Sequence, residues 1–293
     1  MSLEVREHPL LVPFDGDFRV AEAATRPPKK APGKGDLKDR LKQQADALDD
    51  LQRRFYAHHG RALLLVFQAM DAAGKDSTIR AVMHGVDPAG CTVHAFKRPT
   101  AHEQAHDFLW RTTLRLPPKG MIGIFNRSYY EEVLTVRVQP EYLAAQGLPA
   151  AQPAPTFWER RLESIRDHEH HLARNGTVIL KFWLNVSHEE QRKRLLSRLR
   201  EPDKNWKFSE DDVKKSRRWD DYMVAYEAAL NATSRPWAPW YAIPADDKPY
   251  MRVCVADIII DTLRQLNIDY PEPDAVTRAR FEELRKELED AAD

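Results

Sequence analysis

The sequence predicts an α/β fold in which helices cover both faces of a parallel, doubly wound sheet. Five short apolar runs recur along the chain, helical patterns separate most of them, and the first is followed by a glycine-containing loop and another helical pattern. Nearly continuous apolar runs are typical of parallel strands, because helices cover both faces of such a sheet. A chain of 293 residues suits one catalytic domain with extensions.

The N-terminal segment, residues 1–35, mixes proline, glycine and charged residues. Proline and glycine oppose a continuous helix, so we expect an extended arm. From Asp36, the expected N-cap, apolar residues recur at helical spacing until Gly60 interrupts the pattern. This pattern predicts one amphipathic helix at the start of a catalytic domain that we place at 36–270.

The predicted strands coincide with the apolar runs. They cover residues 61–67, 91–96, 121–125, 177–186 and 240–243. Strands that alternate with helices favour a parallel sheet, since parallel neighbours need a crossover connection. The C-terminal segment, 271–293, is charged with sparse apolar residues, which favours a surface helix or a contact to another subunit.

Composition excludes several classes of protein. The 45 basic and 45 acidic residues cancel, so attraction for a polyanion must come from local clusters of charge. Cys91 and Cys254 each lie in an apolar stretch, which predicts two buried thiols rather than a disulfide framework or a cysteine metal site. No run approaches the ~20 apolar residues that span a bilayer, so we expect a cytoplasmic protein without membrane contact.

The loop after the first predicted strand, Ala69 to Thr78, has the order of a phosphate-binding loop. In such loops, backbone N–H groups and a helix N-terminus face phosphate oxygens, while a lysine supplies positive charge. Gly74 and Lys75 would fill these roles. The usual motif has glycine in place of Ala69 and Ser or Thr in place of Asp76, so an ordinary strand-to-helix turn is the alternative.

Asp71 lies inside this loop, where a carboxylate would repel phosphates unless a divalent cation lay between them. Asp71 is therefore the candidate ligand for Mg2+ (or Mn2+). The alternative is that Asp71 caps the following helix or accepts hydrogen bonds from backbone amides.

A second polar run, Asn126 to Glu131, follows the predicted strand 121–125. Ligands of open α/β sheets bind beyond the carboxyl ends of the strands, so Asn126 and Arg127 should face the same crevice as the phosphate loop. A guanidinium can hold two phosphate oxygens and stays charged, which makes Arg127 a candidate phosphate clamp. The alternative is an ion pair with Glu131 or Glu132.

A basic segment, residues 192–218, contains eleven Lys or Arg residues against five Asp or Glu residues. Its first part reads as a helix, and Lys204 and Lys207 lie in a proline-containing connection. Two helices around a polar tip suggest a lid that brings positive charge to a transferring phosphate and excludes water. A solvated helix face and a nucleic-acid-binding surface are the alternatives.

Two further patterns are weaker. His168 and His171 have a spacing that a metal could use, but the sequence offers no obvious second pair of ligands. The aromatic segment 235–248 could stack a base, although such residues more often pack a loop against the core.

Several segments together resemble the polyphosphate kinase 2 family, and the resemblance extends from residue 37 to about residue 265. The segments are Met70-Asp-Ala-Ala-Gly-Lys75, His106-Asp-Phe-Leu-Trp-Arg111, Gly123-Ile-Phe-Asn-Arg-Ser-Tyr-Tyr130, Trp219-Asp-Asp-Tyr222 and Ala238-Pro-Trp-Tyr-Ala-Ile-Pro-Ala-Asp-Asp-Lys248. The resemblance implies a thymidylate-kinase-like P-loop fold, a three-layer sandwich with a parallel central sheet and a helical lid. It also accounts for both departures of the phosphate loop.

The resemblance implies roles for individual residues. Asp71, Lys75, Arg127 and Arg194 would be catalytic, with Asp71 also at the metal. Phosphate or polyphosphate would be bound by Ala72, Ala73, Gly74, Lys75, Asp76, Ser77, Lys204 and Lys207. The acceptor nucleotide would be bound by Lys97, Arg98, Asn126, Arg127 and Glu131. The family often has aspartate where this chain has Asn126.

The function that we expect is transfer of phosphate from inorganic polyphosphate to AMP and ADP with Mg2+. The run from Asn126 to Glu131 and the N-terminal arm resemble those of the branch that accepts both nucleotides. A homo-oligomer, dimer or tetramer, is expected, and nucleic acid is not an expected partner. The alternatives are a nucleoside monophosphate kinase that uses ATP and, third, a basic nucleic-acid-binding protein.

Overall fold

The computed structural model describes residues 6–146 and 156–291. Its centre is one parallel sheet of five strands in the order β2-β3-β1-β4-β5. The strands are β1 Ala62–Gln68, β2 Cys91–Ala95, β3 Ile122–Asn126, β4 Thr177–Asn185 and β5 Trp240–Pro244. All five predicted strands and the α/β class are confirmed.

The helices connect these strands. They are α1 Lys34–His58, α2 Lys75–Val82, α3 Ala101–Gln104, α4 Trp110–Thr113, α5 Thr135–Val138, α6 Pro140–Ala144, α7 Phe157–Arg174, α8 His188–Arg200, α9 Glu210–Arg217, α10 Trp219–Thr233, α11 Lys248–Gln265 and α12 Ala275–Asp290. Helices α1, α2 and α11 pack together, while α10 packs on α7, which contacts β4. Every residue of β1 is buried, as the apolar run predicts for a central strand.

The first helix begins earlier than predicted. Gly33 is its N-cap, so the prediction that Asp36 caps the helix was wrong. Asp36 instead lies in the first turn, where its negative charge complements the partial positive charge of the helix N-terminus. The helix ends at His58, and His59 has a left-handed backbone with φ 52° immediately before Gly60.

The N-terminal segment contacts the edge of the sheet beside β5. Leu11 pairs with Tyr241 as an isolated antiparallel bridge, and the Val12 N–H donates to the Trp240 carbonyl at 2.9 Å. Val12 and Val20 are buried in the same core as the strands. This segment therefore covers backbone groups that an edge strand would otherwise expose.

Three further predictions concern the cysteines, membrane spans and the C-terminal segment. Cys91 and Cys254 are free, but they are only partly buried; burial raises the pKa of each thiol to about 11. Within residues 6–146 and 156–291, no helix combines the length and apolar character that a membrane span requires. The helix α12 exists, and all of its described residues lie outside the buried core.

A buried ion pair joins β4 to α7. Lys181 Nζ lies 2.5 Å from Glu169 Oε2, and both side chains are almost fully buried. The hydroxyls of Tyr129 and Tyr130 donate to Glu169 Oε1 at 2.9 and 2.8 Å. Lys181 also donates to the Thr233 carbonyl at 2.8 Å. The pair is thus hydrogen-bonded on several sides, which reduces the cost of burying its charges.

We predict that Glu169→Gln lowers the free energy of unfolding by about 3 kcal/mol, because it leaves the Lys181 charge buried without its counter-charge. Chemical denaturation measures the change. The matched control is Glu282→Gln, which removes an exposed ion pair with Arg285 and should have little effect. Equal effects of the two substitutions would contradict a buried charge pair.

Candidate active site

The loop between β1 and α2 has the backbone of an anion-binding turn. Ala72 and Gly74 have positive φ angles, 64° and 113°, and left-handed residues of this kind occur in turns whose N–H groups bind anions. At Gly74, the φ angle disfavours any side chain, and an added Cβ would lie 3.3 Å from Met251 Cε. The backbone of the turn therefore favours glycine at this position, whereas the flexible end of Met251 could shift to accommodate a Cβ.

The N-terminus of α2 follows directly from this turn. Gly74 is its N-cap, and glycine has no side chain that could accept hydrogen bonds from the first amides of the helix. The first amides of a helix have no intrahelical acceptor, and they carry partial positive charge. This end of α2 can therefore take phosphate oxygens as acceptors.

Lys75 lies at the start of α2 with its ammonium group inside the loop. Its Nζ donates to the Ala69 carbonyl at 2.7 Å. Burial, with a smaller effect of the nearby Arg127, lowers the pKa of Lys75 to about 8. A phosphate anion would offset both effects, because it adds negative charge next to the ammonium group.

Asp71 lies between two cations that come from different parts of the chain. Its Oδ1 accepts a hydrogen bond from the Arg127 guanidinium at 2.5 Å, and its Oδ2 lies 3.4 Å from Lys215 Nζ. Burial opposes ionisation, but Arg127, Lys75 and Lys215 hold the pKa of Asp71 well below its usual range. The carboxylate therefore stays ionised and fixes both cations at the loop.

Arg127 is held at this position by the end of β3. Its N–H donates to the Phe67 carbonyl at 3.0 Å, and its backbone is left-handed with φ 62°. Such a conformation is unfavourable for a residue with a Cβ and is common at functional sites. The sequence also allowed an ion pair of Arg127 with Glu131 or Glu132. In the structure Arg127 pairs with Asp71, and Glu132 pairs with Arg161.

The lid segment contacts the loop through α8 and α9. Gln191 Nε2 donates to the Asp71 carbonyl at 3.1 Å, and Gln191 Oε1 accepts from Ser216 at 2.8 Å. Lys215 lies on the buried side of α9 with Asp212, whose pKa is raised to about 6 by burial and by Asp71. Asp71, Arg127 and Lys215 line a small cavity, closed on one side by α10, with a volume of about 10 Å³.

Sequence reasoning missed Lys215. It placed this lysine in the basic segment but did not distinguish it from its neighbour Lys214. Lys214 is exposed and Lys215 is buried, so they differ only in the side of α9 on which they lie. The spacing of Asp212, Lys215 and Ser216 on one helical face was the signal that could have identified it.

Arg194 contacts the phosphate loop through backbone carbonyls. Its guanidinium donates to the Ala73 carbonyl at 2.7 Å and to the Ala245 carbonyl at 2.8 Å, and it pairs with Glu190. It therefore ties the loop to the segment that follows β5. Among the other predicted lid residues, Lys204 pairs with Glu201, and Lys207 lies 4.8 Å from the centre of the Trp206 ring.

The predicted acceptor residues lie near the end of β2 and β3. Lys97 and Arg98 follow β2 and are exposed; Arg98 lies 5.3 Å from the centre of the Tyr142 ring. Glu131 accepts hydrogen bonds from Gln68 and Thr135. Asn126 Nδ2 donates to Asp76 Oδ1 at 2.5 Å, which joins the end of β3 to the phosphate loop.

The two weaker sequence patterns, the histidines and the aromatic segment, make packing contacts within the protein. His168 packs edge-on against Tyr129. Trp240 and Tyr241 lie in β5 and are buried, and Trp237 stacks on His170. The aromatic segment therefore packs against the core, as the alternative interpretation predicted.

The donor atoms suit a phosphate-bound divalent cation better than a cation held by protein alone. Within residues 6–146 and 156–291, no three His, Cys, Asp or Glu side chains form a metal cluster. Mg2+ in phosphotransferases is usually held by one or two carboxylates together with waters and substrate phosphates. Asp71 and Asp76 place carboxylates in the loop where such phosphates would bind.

Comparison with known proteins identifies related sequences over most of the chain. The family model described as polyphosphate kinase 2 matches residues 33–271. An ADP-polyphosphate phosphotransferase of Rhodopseudomonas palustris is 51% identical over 249 residues, which are 85% of this chain and 86% of that protein. An AMP/ADP-polyphosphate phosphotransferase of Meiothermus ruber is 46% identical over 230 residues, 78% of this chain and 82% of that protein.

A solved crystal structure has a similar fold. The crystal structure of polyphosphate kinase 2 from Arthrobacter aurescens TC1 superposes with a TM-score of 0.82 at 38% sequence identity. The superposition covers 96% of this chain and 95% of that chain. The predicted P-loop kinase-like architecture is therefore confirmed over nearly the whole length.

We predict that Lys75→Met weakens the binding of inorganic tripolyphosphate roughly tenfold or more, because a charge-assisted hydrogen bond is lost inside a buried loop. Isothermal titration calorimetry measures the affinity, and circular dichroism checks the fold. The control Lys38→Met removes the same charge from an exposed position of α1. An affinity that Lys75→Met leaves unchanged would contradict phosphate binding by this loop.

Proposed function

The chain belongs to the polyphosphate kinase 2 family, and we propose that it transfers phosphate from inorganic polyphosphate to AMP and ADP. The observation that carries the proposal is the meeting of three cations, Lys75, Arg127 and Lys215, around Asp71 at the phosphate loop. Such a concentration of positive charge suits a substrate whose repeating unit is a phosphate anion.

Phosphoryl transfer depends mainly on the positioning of the reacting groups and on the stabilisation of negative charge. In phosphoryl transfer, negative charge is spread over the oxygens of the moving group while the entering and leaving oxygens lie in line. The amides at the start of α2 and the Lys75 ammonium would hold the donor phosphate. Arg127 and Lys215 would stabilise the transferring group, because both are already held at the loop by Asp71.

Closure of the lid belongs to this proposal. In the described conformation α9 lies directly on the loop through Lys215 and Asp71. A phosphate that enters the crevice must compete with the Asp71 carboxylate for the same two cations. The lid would therefore open for the substrate and close again over it, which excludes water as a competing acceptor.

The acceptor is proposed to be an adenine nucleotide, as in the names of the two relatives. We propose that its site is formed by Lys97 and Arg98 beyond β2, by Asn126 at the end of β3, and by Arg127 and Glu131 beyond β3. These residues follow the carboxyl ends of neighbouring parallel strands, where open α/β sheets bind ligands. The use of both AMP and ADP rests on the Meiothermus relative, whose name gives both acceptors.

Mg2+ (or Mn2+) is the proposed cation, and its chemical contribution would be to neutralise phosphate oxygens in the ternary complex. Asp71 is its predicted ligand. In the described conformation each Asp71 oxygen faces a cation, so the metal ion would compete with Arg127 and Lys215 for this carboxylate.

The remaining predictions concern partners and location. A cytoplasmic location, the absence of nucleic-acid binding and a homo-oligomer, dimer or tetramer, remain predictions. Helix α12 exposes Val276, Phe281 and Leu288, so this helix is the first candidate for a contact between subunits.

A nucleoside monophosphate kinase that uses ATP is the competing function, since the same fold supports it. We predict that the protein converts AMP to ADP, and then to ATP, when it receives Mg2+ and polyphosphate without any added ATP. Chromatographic separation of the nucleotides measures the products. Product formation only after ATP is added would contradict the proposal, and Lys75→Met is the control for a contaminating kinase.

A further inference from the structure

A fully buried glutamine lies on the inner side of the basic lid. The buried residues of α8 are Gln191 and Leu195, and Gln191 has no exposed surface. Burying an amide costs free energy unless its N–H groups and its oxygen find partners. A methionine would fill a similar space without that cost, so packing alone does not account for a glutamine at this position.

The Gln191 amide joins two elements that are distant in the sequence. Its Nε2 donates to the Asp71 carbonyl at 3.1 Å, and its Oε1 accepts from the Ser216 hydroxyl at 2.8 Å. Asp71 lies in the phosphate loop, whereas Ser216 lies in α9 and is itself buried. One side chain of α8 therefore sets the separation between the loop and α9.

The direction of the hydrogen bonds in this network is determined by its chemistry. A backbone carbonyl only accepts, so the NH2 end of Gln191 faces Asp71 and its oxygen faces Ser216. Ser216 gives its one proton to Gln191, so its own oxygen accepts from His188 Nε2, which lies 3.2 Å away. The His188 ring stacks on Trp219, with the ring centres 4.5 Å apart. The network thus extends from the phosphate loop to α10.

Ser216 is the chain neighbour of Lys215. Lys215 Nζ lies 3.4 Å from Asp71 Oδ2, while the link from Ser216 through Gln191 reaches the backbone carbonyl of the same aspartate. Two successive residues of α9 are therefore held against Asp71, one directly and one through Gln191. A lysine has a flexible stem and fixes a distance poorly, whereas hydrogen bonds between buried groups make a structure rigid.

We propose that Gln191 is a positioning residue that sets the place of α9, and thereby of the Lys215 ammonium group, relative to the phosphate loop. The inference rests on the proposed function, in which Lys215 stabilises the transferring phosphate. Gln191 acts through Lys215 and not on the phosphate itself. Each time the lid closes, the hydrogen bond between Ser216 and Gln191 would return α9 to the same position on the loop.

A purely structural role for Gln191 leads to a different expectation. Loss of its two hydrogen bonds would then lower the thermal stability and leave the affinity for phosphate unchanged. Gln52 provides the matched control, because it is an almost fully buried glutamine of α1, a helix outside the lid. Gln52→Met and Gln191→Met remove the same amide, and each keeps a side chain of similar length.

The test is a double-mutant cycle on the full chain, in which isothermal titration calorimetry measures the affinity for inorganic tripolyphosphate. We expect Gln191→Met to weaken binding roughly fivefold, the effect of about one net hydrogen bond. In the Lys215→Met background the same substitution should change the affinity by less than about twofold, because the cation through which Gln191 acts is absent. Ser216→Ala should reproduce both results, and Gln52→Met should leave the affinity unchanged.

The inference is wrong if the wild type does not bind tripolyphosphate or if Gln191→Met leaves its affinity unchanged. It is also wrong if Gln191→Met weakens binding equally in both backgrounds, or if Gln52→Met weakens it as much. Circular dichroism and thermal unfolding establish that each variant is folded, and Ser216→Ala completes the cycle if Gln191→Met does not fold.

Turnover of AMP with polyphosphate is measured separately on the wild type. A wild type that binds tripolyphosphate but forms no product would reject the proposed function, whereas the cycle would still decide whether Gln191 acts through Lys215. The failure of the inference is thereby distinguished from the failure of the proposed function.

Discussion

The ion pairs of the Asp71 carboxylate are the interaction on which the rest of the site depends. They join three elements that are distant in sequence: the phosphate loop, the end of β3 through Arg127, and the lid helix α9 through Lys215. Without the Asp71 carboxylate between them, the positive charges of Arg127 and Lys215 would repel each other. Asp71 therefore stabilises the concentration of positive charge that a phosphate substrate needs.

The core behind the site holds this arrangement in place. Arg127 follows β3, and the next residues of the chain include Tyr129 and Tyr130, whose hydroxyls donate to Glu169. Glu169 in turn pairs with Lys181 of β4, the strand next to β1. The buried charge pair thus fixes the segment that carries Arg127. Well-packed structure next to Arg127 therefore supports the unfavourable backbone conformation of that residue.

The sequence was informative where one local pattern decides the structure. The five strands and the phosphate loop follow from apolar runs and from the Gly74-Lys75 pair, which need no knowledge of distant residues. The partners of Asp71 could not be predicted, because they depend on how β3 and α9 meet the loop in space. Arg194 is the same case: the basic segment was recognised, but its contact with loop carbonyls depends on the packing of α8.

The central claim is that Lys215 belongs to the phosphate site because of its place beside Asp71, and not because it is one of many lid cations. The most direct measurement is kcat/KM for polyphosphate in Lys215→Met compared with Lys214→Met, its exposed neighbour on the same helix. Loss of a charge that stabilises the transferring phosphate should reduce this value roughly a hundredfold in Lys215→Met. Lys214→Met should change it little, since an exposed charge is screened by solvent. Equal losses in the two variants would contradict the claim.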